Sequence, residues 1–217
     1  MTAVLLAAGG IYLAAARRAL RDPPRLRVVL PFALAFRALL IPSAPIQEDD
    51  VYRYLWDGRV TAAGLDPFAF SPEDIERFEV GGEAPNEDGV AALGRLAAVK
   101  RISPALGEIF GRINNRQHAT IYPALAQVMF RLHAELVPAS WSPWAQATSM
   151  KALLSVFDLA ALGALVLLLR AVGKPAGLCV LYAWCPLILK EISNSGHMDS
   201  IPASFLVAAL AAQARGI

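Results

Sequence analysis

An all-α, multi-pass transmembrane fold with an external loop of short amphipathic and interfacial helices is predicted by three features of the sequence. Hydrophobic residues make up 56% of the 217-residue chain, and its mean hydropathy of +0.47 lies far above that of a soluble domain. These residues fall in blocks, several of them close to the roughly 17–25 residues that a helix needs to cross a bilayer. Arginine and lysine punctuate the gaps between blocks, while most of the acidic residues collect in one long polar insert. A formal net charge of +2 gives no reason to expect a nucleic-acid partner; membrane lipids are the partner the composition calls for.

Residues 1–46 hold two expected spans. Thr2–Ala16 is short, but extending it to Leu20 suffices if Arg17 and Arg18 snorkel to the interface. With no basic region before it and no cleavage pattern, it reads as a retained helix rather than a leader. Arg17, Arg18, Arg21, Arg25 and Arg27 surround Pro23-Pro24, and the positive-inside rule places this loop in the cytoplasm. A second span over about Val28–Ile46 then delivers Gln47 to the external face, and the amino terminus is external too.

Residues 47–143 form the external insert. Gly64-Leu65-Asp66-Pro67-Phe68 reads as a turn. Ser71-Pro72-Glu73-Asp74 has the signature of a helix start, with a serine cap, proline at the first position and acids in the first turn. Gly81-Gly82 ends that helix, and Asn86-Glu87-Asp88-Gly89 reads as a loop. Val90, Leu93, Leu96, Ala97 and Ile102 recur at helical spacing, as in a helix lying on a membrane surface, until Pro104 interrupts.

Residues 144–217 supply three further spans, at about Trp144–Leu169, Ala176–Ile192 and Ile201–Ala212. Thr120–Val137 is ambiguous, because its second half carries Arg131, His133 and Glu135. Charge parity decides it: if that block stays on one side, Arg170, Lys174 and Arg215 all fall in the cytoplasm. Thr120–Val137 is therefore expected to be interfacial or re-entrant. The same parity puts the polar link Ser193–Asp199 outside, beside the acidic turn. Cys179 and Cys185 lie within apolar sequence and read as packed small side chains, neither a disulfide nor a metal pair.

The candidate chemistry begins at Glu48-Asp49-Asp50. Carboxylates at a membrane edge are ordinarily just hydrated, but three in a row repel one another, and at least one gains affinity for a proton or cation. Such a group suits general-base work on a hydroxyl. Tyr52, Tyr54 and Trp56 offer sugar-stacking faces or, as is commoner for a single aromatic, an interfacial belt. Lys190, Arg53 and His197, with Asp199 close by, form a candidate cationic site for a phosphate at the lipid surface; snorkelling is the alternative role for Lys190. Arg37 and Asp158 both fall near mid-membrane, Arg37 about ten residues or roughly 15 Å from the inner end of its span. Buried charges of this kind are expected to pair with one another.

These stretches resemble a known family. Asp49-Asp50-Val51-Tyr52-Arg53-Tyr54-Leu55-Trp56-Asp57-Gly58, followed by Gly64-x-Asp66-Pro67-Phe68, is similar to the first external loop of bacterial polyprenyl-phosphate-dependent mannosyltransferases of the GT-C class. Ile113-Asn114 with Thr120-Ile121-Tyr122-Pro123 and Gln127 resembles their second signature. Phe157-Asp158-Leu159, Tyr182–Leu187, Lys190-Glu191 and Ser195–Asp199 resemble the third. Ala124 stands where the family commonly has a second proline. The resemblance implies an inverting transfer of a hexose, mannose in that family, from a polyprenyl phosphate to a lipid or glycan acceptor outside the cell membrane. Asp49 or Asp50 is then the base, and the Gly196-His197-x-Asp199 link matches a second external acidic site of related enzymes; the reading of the residues themselves adds Arg53, Tyr54, Lys190, His197 and Asp199 as the groups that meet the substrate. Members of the class differ in whether a divalent cation sits at the acidic loop. Relatives carry more spans, so the chain is expected to match their amino-terminal half, as a fragment, a split subunit or a degenerate copy. The competing readings are a non-catalytic membrane subunit that binds the lipid-linked sugar phosphate and, from Arg37 and Asp158 alone, a small transporter.

Overall fold

Residues 2–217 are described by a computed structural model, and among them no strand occurs. The helices are α1 (Thr2–Arg21), α2 (Leu26–Leu40), α3 (Val51–Ala62), α4 (Pro72–Glu79), α5 (Glu87–Lys100), α6 (Pro104–Gly111), α7 (Ala124–Leu136) and α8 (Pro143–Ala171). A broken segment follows, made of a 3-10 turn (Ala176–Cys179), α9 (Val180–Ala183), α10 (Pro186–Ile188) and a π-helical turn (Leu189–Asn194), before α11 (Ser200–Ala214). They group in two units, one built from the chain up to Ile46 and from Lys151 onward, the other from Gln47–Met150.

In the first unit, α8 is the single unbroken described helix long and apolar enough to cross a membrane. Two expected spans come out shorter. α2 stops at Leu40 after 15 residues, about 22 Å at 1.5 Å per residue; Ile41 still has helical backbone, but Pro42 after it has no N–H with which to continue the ladder. α11 likewise has 15 residues. The block expected as a straight span over Ala176–Ile192 is bent by 52° between Ala176–Ala183 and Pro186–Ser195. Pro186 brings no N–H and forces Cys185 to an extended ψ of 117°, which interrupts the helix there.

Small residues bring the helices of this unit together. Ala19, Val29, Ala33, Cys179 and Ala183 pack with Leu162 and Val180. The approach is closest at Gly177, where an added Cβ would stand 1.8 Å from the Pro24 carbonyl oxygen. Both cysteines are free thiols. Much of what is left outside is apolar: Leu6, Ile11 and Leu13 on α1, Phe32 and Leu34 on α2, and Phe205 and Leu206 on α11 are exposed. An apolar surface of that extent is a binding or membrane surface rather than an aqueous one.

The second unit is built on α3, every residue of which from Val51 to Gly58 is buried. One side of α3 joins Leu93, Leu96, Ala97 and Val99 of α5 and Phe110 of α6 around Trp56. The other side meets α7, where the Tyr54 ring stacks on Phe130 with centroids 4.5 Å apart. α4 starts with a full capping box: Ser71 Oγ accepts from the Asp74 N–H, and Asp74 accepts from the Ser71 N–H at 2.9 Å. Asn86–Gly89, expected as a loop, instead opens α5, because the Asn86 side chain accepts from the Gly89 N–H at 2.8 Å and acids occupy the first turn. The apolar stripe of α5 faces α3 rather than a membrane, with only Val90 and Ile102 left exposed.

α3 and α7 meet backbone to backbone at Gly58, where an added Cβ would lie 2.3 Å from the Phe130 carbonyl oxygen. A main-chain atom cannot rotate out of the way. Gly58→Ala is therefore expected to cost about 1–3 kcal/mol, read as a lower thermal midpoint of the detergent-solubilised chain. An unchanged midpoint would mean that the two helices stand further apart.

Arg59 closes the far end of α7, donating to the carbonyls of Ala134 and Val137 at 2.6 Å each. Beside it, His133 is buried with Nε2 2.8 Å from Ser149 Oγ. Burial, helped by the Arg59 charge, pushes His133 down to about 4 from its ordinary 6.5. Between those values the unfolded chain takes up a proton that the folded chain refuses. The stabilisation is thus complete above pH 6.5 and lost as the pH falls toward 4, by at most about 3 kcal/mol. The thermal midpoint of the wild-type chain should fall across that window more steeply than that of His133→Gln. Parallel curves would show that His133 is not held neutral.

Candidate functional site

Among the described residues, Gln47 (φ 76°) and Asn115 (φ 47°) are the non-glycine positions with left-handed backbone. They flank the two stretches that build the acidic turn, and such backbone is costly enough to recur where geometry is imposed for function. Asp49 and Asp50 lie directly before α3, their carbonyls accepting from the N–H groups of Tyr52 and Tyr54 at 3.1 Å. This fixes both carboxylates to the first turn of a buried helix.

Asn114, brought in behind α6, donates its amide to Asp50 Oδ1 at 2.7 Å and to Asp49 Oδ1 at 3.3 Å. Tyr122, on the extended run before α7, completes the cluster. Burial and the adjacent Asp50 carboxylate hold its hydroxyl well above the usual phenol range. Asp49 is also raised above an ordinary carboxylate, first by burial and then by the Asp50 charge, while Asn114 and the Arg112 guanidinium act the other way. Arg112 itself is held by the Tyr52 hydroxyl at 2.8 Å and by Glu108. The turn thus pairs a half-buried carboxylate of raised proton affinity with one pinned by an amide. Among the described residues no further histidine, cysteine or carboxylate joins Asp49 and Asp50 within ligating distance. The pair by itself is an incomplete cation site.

One turn further along α3, Arg53 Nε donates to Asp57 Oδ1 at 3.0 Å and Nη2 to the His118 carbonyl at 3.1 Å. Gln127 Nε2 donates to Asp57 Oδ2 and to Thr120 Oγ1, both at 3.1 Å. Burial raises Asp57 despite the Arg53 charge beside it. Arg53, expected to meet a phosphate, is 6% exposed and bonded to Asp57 and a carbonyl. Tyr54, expected to meet the substrate, is 2% exposed, stacked on Phe130 and edge-on to Tyr122. Tyr52 and Trp56 are buried in the same way, so none of the three forms a belt.

In the first unit, Arg37 Nε donates to Asp158 Oδ2 at 2.5 Å, both side chains being almost fully buried. Arg37 Nη1 reaches the carbonyls of Ala33 and Ala183 at 3.0 Å, and the Tyr182 hydroxyl donates to Asp158 Oδ1 at 2.6 Å. Lys190 and His197, expected as phosphate-binding cations, share one carboxylate instead. Glu191 lies 3.1 Å from Lys190 Nζ and 2.9 Å from His197 Nδ1. Asp199 is exposed and precedes α11 without a side-chain cap bond. Lys151 carried no expectation, yet it is buried and donates to the carbonyls of Ser43 at 2.6 Å and Asn194 at 3.1 Å. Asn194 in turn bonds Ser43, Ala44 and Ile46, so the stretch leading to the acidic turn is tied down by side chains.

Asn114, Tyr122, Thr120 and Gln127 stand in the second signature stretch, yet nothing in a single sequence marks Asn114 as a partner of Asp50 across 64 positions or Gln127 as a partner of Asp57 across 70. Glu191 stands in the third signature stretch without a role assigned to it there, and Arg112 gave no signal beyond its charge. Compared with protein-family models, with curated proteins and with solved structures, the chain matches none.

Proposed function

We propose that the chain is a multi-pass membrane glycosyltransferase, or the amino-terminal part of one, that moves a hexose from a polyprenyl phosphate to an acceptor hydroxyl on the external face. One observation carries the reading: Asp49 and Asp50 share the single amide of Asn114, so two stretches quoted from the family resemblance form one polar cluster. The membrane setting is supported by α8 and by the apolar exterior of the first unit. That unit also holds an apolar recess of about 440 Å³ lined by Leu165, Leu169, Leu181, Tyr182 and Ile188, suited to a length of prenyl chain.

In this mechanism Asp49 is the base and Asp50 its positioning partner. Asp49 removes the proton of the acceptor hydroxyl as that oxygen bonds to the anomeric carbon. The bond from that carbon to the phosphate oxygen breaks on the opposite face, its electron pair leaves with the polyprenyl phosphate, and the anomeric configuration inverts. Arg112, whose charge acts on Asp49 and whose side chain is exposed although paired with Glu108, is the cation offered to the phosphate, Arg53 being buried against Asp57. The test is to incubate membranes carrying the full chain with polyprenyl-phosphate mannose bearing a radiolabelled sugar. Label moving to lipid or glycan in wild-type membranes, and not in Asp49→Asn membranes, is expected. Retention of all label on the polyprenyl phosphate with the wild-type chain would overturn the enzyme reading and favour a binding subunit.

A further inference from the structure

We infer that α7 is an in-plane membrane anchor, its outer face seated at the headgroup–acyl boundary of the bilayer that α8 crosses. This rests on the membrane part of the proposed function and is independent of sugar transfer. α7 has three faces. Ala126, Gln127, Phe130, His133 and Ala134 are buried in the second unit. On the opposite side Leu125, Val128, Leu132 and Leu136, spaced three or four residues apart, form one apolar strip. Their exposure of 40–73% leaves the strip open among the described residues. Arg131 and Glu135, paired at 2.7 Å and exposed, run along one margin of that strip. A buried side, an apolar side and a charged edge are what a helix needs to lie flat at an interface, edge to water.

Three observations select lipid as the occupant. α7 is fixed to the first turns of α8: His133 Nε2 lies 2.8 Å from Ser149 Oγ, and Arg59 bridges the Val137 carbonyl and Gln146 Oε1. The strip therefore stands where the membrane-length helix begins. Trp141 and Trp144, both exposed, sit at that junction, and exposed tryptophan at a span's end belongs at the headgroup level. At 13 residues, or about 20 Å, α7 is too short to cross. Anchoring α7 would also hold Gln127, and through it Asp57 at the heart of α3, at a fixed height above the lipid.

The test uses the full chain in nanodiscs of phosphatidylethanolamine and phosphatidylglycerol, with Cys179→Ala and Cys185→Ala and one spin label at a time. Labels at Leu125→Cys, Val128→Cys, Leu132→Cys and Leu136→Cys should collide with oxygen more than with a water-soluble nickel chelate, all at similar shallow depth. Labels at Arg131→Cys and Glu135→Cys should show the reverse. Nickel access along the strip, a depth that increases steadily along α7, or shielding from both probes as under a protein partner would each overturn the anchor. If the cysteine-free background does not fold, the natural chain in lipids brominated near the headgroup decides. Tryptophan quenching should then drop in Trp144→Phe, and unchanged quenching would overturn it. Neither readout needs turnover, so an inactive enzyme and an unanchored α7 are told apart.

Discussion

Asp158→Ala is expected to destabilise the first unit by about 3–5 kcal/mol, the cost of stranding a buried charge by removing its partner. Arg37 would keep the Ala33 and Ala183 carbonyls, which solvate a guanidinium but do not neutralise it. The Tyr182 hydroxyl would lose its acceptor as well, adding an unmade hydrogen bond to the cost. Since a domain is worth only about 5–15 kcal/mol in all, folded yield from membranes should fall severalfold and the thermal midpoint should drop by many degrees. The sharper reading comes from pairs of changes. Arg37→Met with Asp158→Leu removes both charges and fills the space, and replacing a buried ion pair in this way is often neutral or stabilising. The double variant should therefore recover most of what Asp158→Ala loses. Exchanging the charges, Arg37→Asp with Asp158→Arg, should recover part of it, because Tyr182 would then face a cation. A double variant no better than the worse single one would show that the pair is not what the two residues contribute.

Such charges are legible in a sequence for the reason that makes their loss expensive. An arginine and an aspartate inside otherwise apolar blocks have few partners to choose from, and the structure brings these two together. α8 is legible too, because a long apolar run admits few folds other than a helix in apolar surroundings. The capping box at Ser71 is local chemistry and needs no tertiary information. α3 was hidden by the opposite circumstance. Tyr52–Gly58 reads as polar and wet because it contains Arg53 and Asp57, but its burial depends on Phe110 and Phe130, more than fifty positions away. Arg53 and Asp57 neutralise each other at i, i+4, so their charge disappears from the surface without leaving the composition. The bend at Pro186 carried a visible signal that hydropathy averaging removes. The acidic turn itself was legible as a cluster, whereas Asn114 and Tyr122 became part of it only through the fold.

Those two partners make the roles of the aspartates separable. Asp49→Asn should lower transfer by a factor of about 10²–10⁴, the usual worth of a positioned base, with little change in the thermal midpoint, because Asp49 holds only the weaker 3.3 Å bond to Asn114. Asp50→Asn should behave differently. It retains an oxygen for Asn114 and Tyr122 but removes the charge that helps to raise Asp49. Asp49 would then ionise at lower pH. On the proposed mechanism the acid limb of kcat/KM is expected above the ordinary carboxylate range in the wild-type chain, and in Asp50→Asn it should move down in pH while activity is kept in part. The sign is fixed: a neighbouring negative charge disfavours ionisation, so its removal extends the active range toward acid. If Asp50 were the base, Asp50→Asn would lose the activity and Asp49→Asn would keep it. A limb that stays in place in Asp50→Asn would mean that the two carboxylates do not sense each other. Asp49 would then owe its raised proton affinity to burial alone, and a change that opens the turn to water, such as Tyr122→Ala, should move the limb instead.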